Sequence, residues 1–169
     1  MKQDGSSLRV GQGYDVHAFE PGDHVMLGGV KIPHTQGISA HSDGDVVLHA
    51  ICDALLGAAA LGDIGMHFSD SDPQWRGTDS RTFVRHVRGL LADQGFGVVN
   101  VDATVIAEAP RLGKHRDAMR ANIAADLGLT VDRVNIKGTT SESMGFIGRR
   151  EGIACQAIAM IEWHHGIRT

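Results

Sequence analysis

Strand-like and helix-like segments follow one another along this chain without strict alternation, and that order fits one open sheet with helices on one face. Residues 8–19 read as a strand ending in a turn at Pro21-Gly22. Residues 24–32 are strand-like and broken by Gly28-Gly29, the mark of a bend or hairpin. After a polar loop over 33–41, an Ala- and Leu-rich stretch predicts a helix over 42–61, with Ser42 or Asp43 as its cap and Gly62 as its stop. Residues 63–78 form a polar loop without periodicity, long enough to suggest function. A second helix is expected over 79–94, with Phe83, Val87, Leu90 and Leu91 on one side, and a third over 114–127, stopped by Gly128. Alternation of Val101, Ala103, Val105 and Ala107 predicts a strand over 99–109, and two more follow at 134–139 and 153–163. The predicted fold is α+β: a two-layer sandwich of one mixed β-sheet with helices packed on one face. A single domain is expected over 8–163, between a flexible tail at 1–7 and a short tail at 164–169.

With 42% hydrophobic and 5% aromatic residues, the core must be built from Ala, Val, Ile and Leu. The net charge of −4 and the absence of a basic stripe argue against nucleic acid, but not against a small phosphorylated ligand held by a few donors or a metal. Cys52 and Cys155 are expected to be buried reduced thiols. The polar N-terminus lacks an apolar signal region, and no run approaches the roughly 18 apolar residues of a membrane span. A soluble, cytoplasmic protein is expected.

Four segments carry chemistry. In GYDVHAF, Asp15 and His17 lie two apart on a strand and so point to one side, offering oxygen and nitrogen ligands to zinc or making an ordinary surface hydrogen bond. In HSDGDVVLHA, His49 stands one helical turn from both Asp45 and Asp53, and either carboxylate is placed to hold the imidazole tautomer. An Asp/His/His set leaves a fourth tetrahedral position open, through which zinc can grip a phosphate oxygen. His41 and Ser42 are expected at the helix N-terminus, where amides and dipole favour an anion, although Ser42 as a plain cap satisfies the same pattern. The acidic loop DIGMHFSDSD offers carboxylates to polyol hydroxyls, or is a solvated turn cluster. In IKGTTSESMGFIGRREG, Thr139, Thr140 and Ser141 offer hydroxyls and amides, Glu142 suits a magnesium ion bridged to phosphates, and Arg149 suits a bidentate phosphate contact; a polar surface loop reads equally well.

Taken in order, GYDVHAF, HSDGDVVLHA, DIGMHFSDSD, AEAPRL and TTSESMGFIGRREGI resemble the 2-C-methyl-D-erythritol 2,4-cyclodiphosphate synthase family over residues 8–162. The resemblance implies a homotrimer with active sites between subunits and a cytidine diphosphate substrate carrying a 2-phosphate. That phosphate attacks the β-phosphorus, the cyclic diphosphate closes and CMP leaves, a step of the non-mevalonate isoprenoid pathway. It implies zinc on Asp15, His17 and His49, magnesium or manganese near Glu142, and transition-state stabilisation by His41 and Thr140. Val16 falls within the first substrate-binding segment and Ser42 within the second. Asp63, Ile64, Gly65, Phe68, Ser69, Asp70, Ser71 and Asp72 match the surroundings of the methylerythritol part. Ala107, Glu108, Ala109, Pro110, Arg111, Leu112 and Gly113, with Thr139, Thr140, Ser141 and Glu142, match those of the cytidine and its phosphates. Phe146 and Arg149 match contacts near the trimer axis.

The chain departs from the family's common pattern at Gln12, Ser69, Ser71, Arg111 and Gly138, none of them a proposed metal ligand. Loss of a proline at Ser69 predicts a more mobile loop. Two other functions use the same residues. One is a zinc phosphodiesterase or nucleotidase working through metal-bound water; the other is a non-catalytic, zinc-stabilised protein that binds an isoprenoid diphosphate.

Overall fold

The computed structural model describes residues 8–69 and 72–163; the tails expected at 1–7 and 164–169 lie outside them, as do Asp70 and Ser71. The strands are β1 (Leu8–Glu20), β2 (His24–Leu27), β3 (Val30–Pro33), β4 (Gly37–Ile38), β5 (Phe96–Ile106), β6 (Val134–Thr139) and β7 (Gly152–Trp163). The helices are α1 (Val46–Ala59), α2 (Ile64–His67), α3 (Ser80–Asp93), α4 (Arg116–Leu127) and α5 (Gly145–Gly148). Five strands form one mixed sheet in the order β4-β1-β7-β5-β6, parallel only between β5 and β6. β2 and β3 form a separate hairpin. Gly28 and Gly29, both at positive φ, make its two-residue turn, a conformation that suits the twist of the paired strands.

Apart from an irregularity between Val98 and Asn100, the register sorts the residues of the five-stranded sheet onto two faces. Rows such as Gly13, Ala157, Ala103 and Ile136 turn toward the helices and are shielded from solvent. The opposite rows, including Tyr14 with Gln156, Thr104 and Lys137, face away, and among the described residues no helix covers them. On that open face Val10, Tyr14, Val16 and Ile158 remain exposed. On the covered face α1 lies across β1 and β7, α3 rests against α1, and α4 reaches β6. Ile51, Leu55 and Leu56 of α1 are wholly buried, each worth about 1.5–3 kcal/mol of apolar burial. The aliphatic core expected from the composition is observed, and Cys52 and Cys155 are free and buried within it.

A core of small residues lets the layers come close. A Cβ on Gly13 would lie 2.0 Å from the carbonyl oxygen of Ala50, and one on Gly11 would lie 2.0 Å from that of Ala54. Helix α1 therefore sits directly on the β1 backbone, which brings His49 over Asp15.

Some boundaries differ from the sequence reading. Strand β5 runs over Phe96–Ile106 where the alternation predicts 99–109, because its pairing with β7 already begins at Phe96 opposite Trp163. The first helix starts at Val46, because Asp45 is its cap: its side chain accepts from the amides of Val47 and Leu48. The helix ends with Ala60 in the left-handed region, two residues before Gly62. The loop over 63–78 also contains α2 and a 3-10 turn at Pro73–Trp75. Both are too short for helical periodicity to register.

Candidate metal centre and its surroundings

Alternation along β1 turns Asp15 and His17 toward α1, where His49 projects back at them. Asp15 Oδ2 lies 3.0 Å from His17 Nε2 and 3.1 Å from His49 Nδ1, and the two ring nitrogens are 3.1 Å apart. Three donors on one tetrahedral zinc, with bonds of about 2.0–2.1 Å, would stand about 3.3 Å apart. The observed triangle fits such an ion with little movement, and its two nitrogens and one oxygen are donors that zinc accepts. Among the described residues no cysteine joins the group.

Electrostatics favour a cation here. Burial would raise the Asp15 carboxyl, but hydrogen bonds from His17 and His49 and their charge hold it well below the usual carboxylate range. Burial pushes His49 down, yet the hydrogen bond and charge of Asp15, reinforced by Asp45 and Asp43, leave it raised. In the absence of a metal the site thus draws in a proton.

The far side of the His49 ring is fixed by a partner that the sequence did not reveal. His49 Nε2 is 2.9 Å from Ser80 Oγ, and that hydroxyl donates its proton to Asp43. With its proton committed, Ser80 Oγ can only accept, so His49 carries a hydrogen on Nε2, and Nδ1, which holds the drawn-in proton toward Asp15 in the metal-free site, is the nitrogen that becomes bare for a cation when that proton leaves. Ser42 Oγ stands 3.2 Å from the same nitrogen. Neither neighbour expected to hold the imidazole does so. Asp45 is spent on the amides of Gly28, Gly29, Val47 and Leu48, and Asp53 accepts from Ile64 N–H at 2.7 Å. Both carboxylates lie at the right helical spacing, but backbone amides reach them first. Ser80 is 31 residues away in sequence, so spacing could not betray it.

A cavity of about 320 Å³ opens beside the triad, lined by Asp15, His17, His41, Ser42, His49, Ile64, Gly65, Phe68, Trp75 and Phe83 among others. His41 and Ser42 reach it from the loop before α1 and not from a free helix terminus, since Asp45 already occupies the cap. Aromatic residues are scarce in this chain, yet Phe68 stacks on Phe83 at 4.4 Å between ring centres and meets Trp75 edge-on, forming one wall. Trp75 and Phe83 were not among the sequence candidates. Asp63 caps α2 through Met66 N–H, Asp72 caps the following turn through Gln74 N–H, and the carbonyl of Ser69 accepts from Asp72 N–H. The side chain of Val16 points to the open face of the sheet, opposite Asp15 and His17.

The remaining candidates gather elsewhere. A second cavity of about 480 Å³ is lined by Ala107, Glu108, Pro110, Arg111, Leu112, Thr139, Thr140 and Glu142, with Val105, Arg116 and Gly138. Ala109 instead lines a neighbouring depression with Phe19, His34 and Arg150, and a Cβ on Gly113 would touch nothing within 4 Å. Ser141 is tied to Glu108. Phe146 is exposed, and Arg149 pairs with Glu151 at 2.7 Å. Across the sheet Asp15 pairs with Cys155, Cys155 with Val105, and Val105 with Gly138. Three strand spacings of about 4.8 Å thus put about 14 Å between the triad and the end of β6. Within one chain the two groups line separate cavities.

A mixed sheet with helices on one face, and an Asp–His–His cluster where α1 crosses β1, define an α+β protein with three side chains grouped so that they could hold a metal ion. The chain belongs to the YgbB family, whose profile matches residues 8–162. A 2-C-methyl-D-erythritol 2,4-cyclodiphosphate synthase of Thioalkalivibrio sulfidiphilus is 60% identical over 157 residues, covering 93% of this chain and 98% of that protein. Among solved structures, the bifunctional IspDF of Campylobacter jejuni superposes with a TM-score of 0.91 at 39% identity, covering 95% of this chain, which spans 43% of that longer protein. The IspF of Plasmodium falciparum, solved as a CDP complex, gives 0.83 at 33% identity and covers 96% of this chain and 100% of its own.

Proposed function

We propose that this chain is a 2-C-methyl-D-erythritol 2,4-cyclodiphosphate synthase: it closes 4-diphosphocytidyl-2-C-methyl-D-erythritol 2-phosphate into the 2,4-cyclodiphosphate and releases CMP. The observation that carries the reading is the Asp15–His17–His49 triangle, three donors around one point beside a cavity. Asp15, His17 and His49 would hold zinc and Glu142 would help hold magnesium or manganese, and these ions would supply positive charge to offset that on the phosphoryl oxygens. Attacking phosphate and leaving CMP belong to one molecule, so the protein's task is to hold them in line. His41 and Thr140 donate to the oxygens where charge grows. Arg111, with the 107–113 and 139–142 segments, cradles the nucleotide and its phosphates, while Ile64, Gly65 and Phe68 enclose the methylerythritol.

The working unit is a homotrimer. Two features support this: the uncovered sheet face with its exposed Val10, Tyr14, Val16 and Ile158, and the separation of the two cavities. Packing open faces about an axis sets the triad of one copy against the Thr140–Glu142 cavity of the next. Phe146 and Arg149 then stand near that axis. Among the described residues no helix is long and apolar enough to cross a membrane, and a cytoplasmic enzyme acting on a small soluble substrate fits the sequence.

The test is to incubate zinc-loaded protein and Mg²⁺ with the substrate and follow the products by ³¹P NMR. Cyclic diphosphate and CMP in equal amounts are expected. An opened diphosphate would mean attack by water, and no turnover by folded, zinc-loaded protein would mean a binding protein; either result overturns the reading.

A further inference from the structure

The loop that leaves β6 has an uncommon backbone. Glu142 at φ 53° and Ser143 at φ 62° are consecutive non-glycine residues in the left-handed region, which side chains adopt only when their surroundings compel it. Within the loop, Met144 N–H donates to Ser141 O at 3.0 Å and Ser141 Oγ donates to Met144 O at 2.7 Å, and from outside it one side chain grips both sides of the turn. Glu108 Oε1 accepts from the backbone N–H of Ser141 at 3.0 Å and of Ser143 at 3.3 Å, and Ser141 Oγ lies 3.1 Å away. Two amides converging on one oxygen make a nest for an anion, and here the anion is supplied by the chain itself. The loop is also backed from behind: a Cβ on Gly148 would lie 2.1 Å from the Ser143 carbonyl carbon.

The residue bracketed by those two amides is Glu142. Its carboxylate Oε1 accepts from Thr140 Oγ1 at 3.1 Å, while its own N–H donates to Thr140 Oγ1 at 3.2 Å. Gripping Ser141 and Ser143 therefore fixes the direction of Glu142 and, through it, the hydroxyl of Thr140. Glu108 follows the end of β5, so the grip also joins the 107–112 wall of the 480 Å³ cavity to its 139–142 wall.

We infer that Glu108 is a positioning residue: its carboxylate fills the Ser141–Ser143 nest, and by doing so aims Glu142 and Thr140 into the cavity instead of contacting substrate itself. This rests on the reading of Glu142 and Thr140 as the groups that meet a cation and a phosphate. The acceptor matters here more than its charge. Glutamine offers the same Oε1 to the same two amides, whereas alanine leaves the nest empty.

The experiment compares zinc-loaded wild type, Glu108→Ala and Glu108→Gln by three measurements: hydrogen–deuterium exchange of peptides covering 139–148, Mn²⁺ binding followed by the EPR signal of the free ion, and kcat and KM for CMP release. For Glu108→Ala we expect exchange at the loop to rise about tenfold or more, Mn²⁺ affinity to fall by about tenfold, and kcat to drop further than KM rises. For Glu108→Gln all three should stay within about threefold of wild type. Unchanged exchange in Glu108→Ala overturns the inference. So does equal damage in both variants, which would make the charge decisive, or a change confined to KM, which would make Glu108 a substrate contact. Should the wild type form no cyclic product, the proposed function fails, while the exchange measurement still decides whether Glu108 holds the loop.

Discussion

Replacing Gly13 by alanine adds one methyl group in a strand, where alanine is the better residue by intrinsic preference. The structure predicts damage all the same. The new Cβ would stand 2.0 Å from Ala50 O and 2.8 Å from Ala54 N, backbone atoms of α1 that no rotamer change can remove. Restoring a contact of even 3.0 Å requires α1 to retreat by about 1 Å from β1, and overpacking of this kind costs about 1–3 kcal/mol. For a chain of this length each kcal/mol lowers Tm by about 2–4 °C. The larger effect falls on the metal. His49 is the neighbour of Ala50 and moves with it, whereas metal–ligand distances tolerate about 0.2 Å. Zinc affinity, measured by competition with a chromophoric chelator, is expected to fall by about 10–100-fold. Gly57→Ala is the control, since its Cβ would meet only Gln12 O at 3.9 Å. There the helix gains about 0.5–1 kcal/mol and zinc affinity is unchanged. If Gly13→Ala keeps the wild-type Tm and zinc affinity, α1 does not rest on β1 as described, and the account of how the triad is assembled is wrong.

Ser80→Ala removes the acceptor that commits His49 to its Nε2–H tautomer and is expected to lower zinc affinity by about 10–100-fold with little change in urea midpoint; unchanged affinity would show that Ser42 or water suffices. The metal-free protein should respond to pH through His49, whose folded pKa is raised above 6.5. Its stabilisation is complete below 6.5 and is lost as pH rises through the raised value, while zinc must displace that proton. The rise in Tm on adding zinc should therefore grow with pH across this window, and a rise that is larger at pH 5.5 than at pH 8 would contradict the assignment. Asp126 is buried and accepts from Arg81 and Arg85 at 2.7–3.0 Å. Because both guanidinium groups can turn to water, Asp126→Ala should cost about 1–3 kcal/mol by urea unfolding, and not more.

The parts of this fold that the sequence disclosed are those written in short-range patterns. The alternation in β5, the Gly128 stop and the glycine pair of the β2–β3 turn each act within a few residues; α4 ends and the hairpin turns where expected, while β5 overlaps its expected span but starts and ends earlier. The first helix was misplaced at its start because Ser42, Asp43 and Asp45 are all good caps. The choice among them is made by the β2–β3 turn, whose Gly28 and Gly29 amides draw the Asp45 carboxylate down to the helix end. That is a tertiary contact, invisible to propensity.

The site divides along the same line. Asp15 and His17 were legible because a strand's period of two puts them on one side, but nothing local says that His49, 32 residues beyond His17, is the third member of the cluster. That meeting depends on glycine at 11 and 13, which lowers α1 onto β1. Spacing on the helix pointed to Asp45 and Asp53 as partners of His49, and both are taken by amides left open at a turn and a helix end. A carboxylate near a chain reversal meets amides that have no other partner, each costing about 1–3 kcal/mol if left unmet, whereas the His49 ring has hydroxyls within reach. What remains for His49 is Ser80, held by Asp43 on the loop that also carries Ser42 and leads back to His41. Fixing the imidazole and placing the residues beside it are thus one structural task, performed by residues 41–43 against the start of α3.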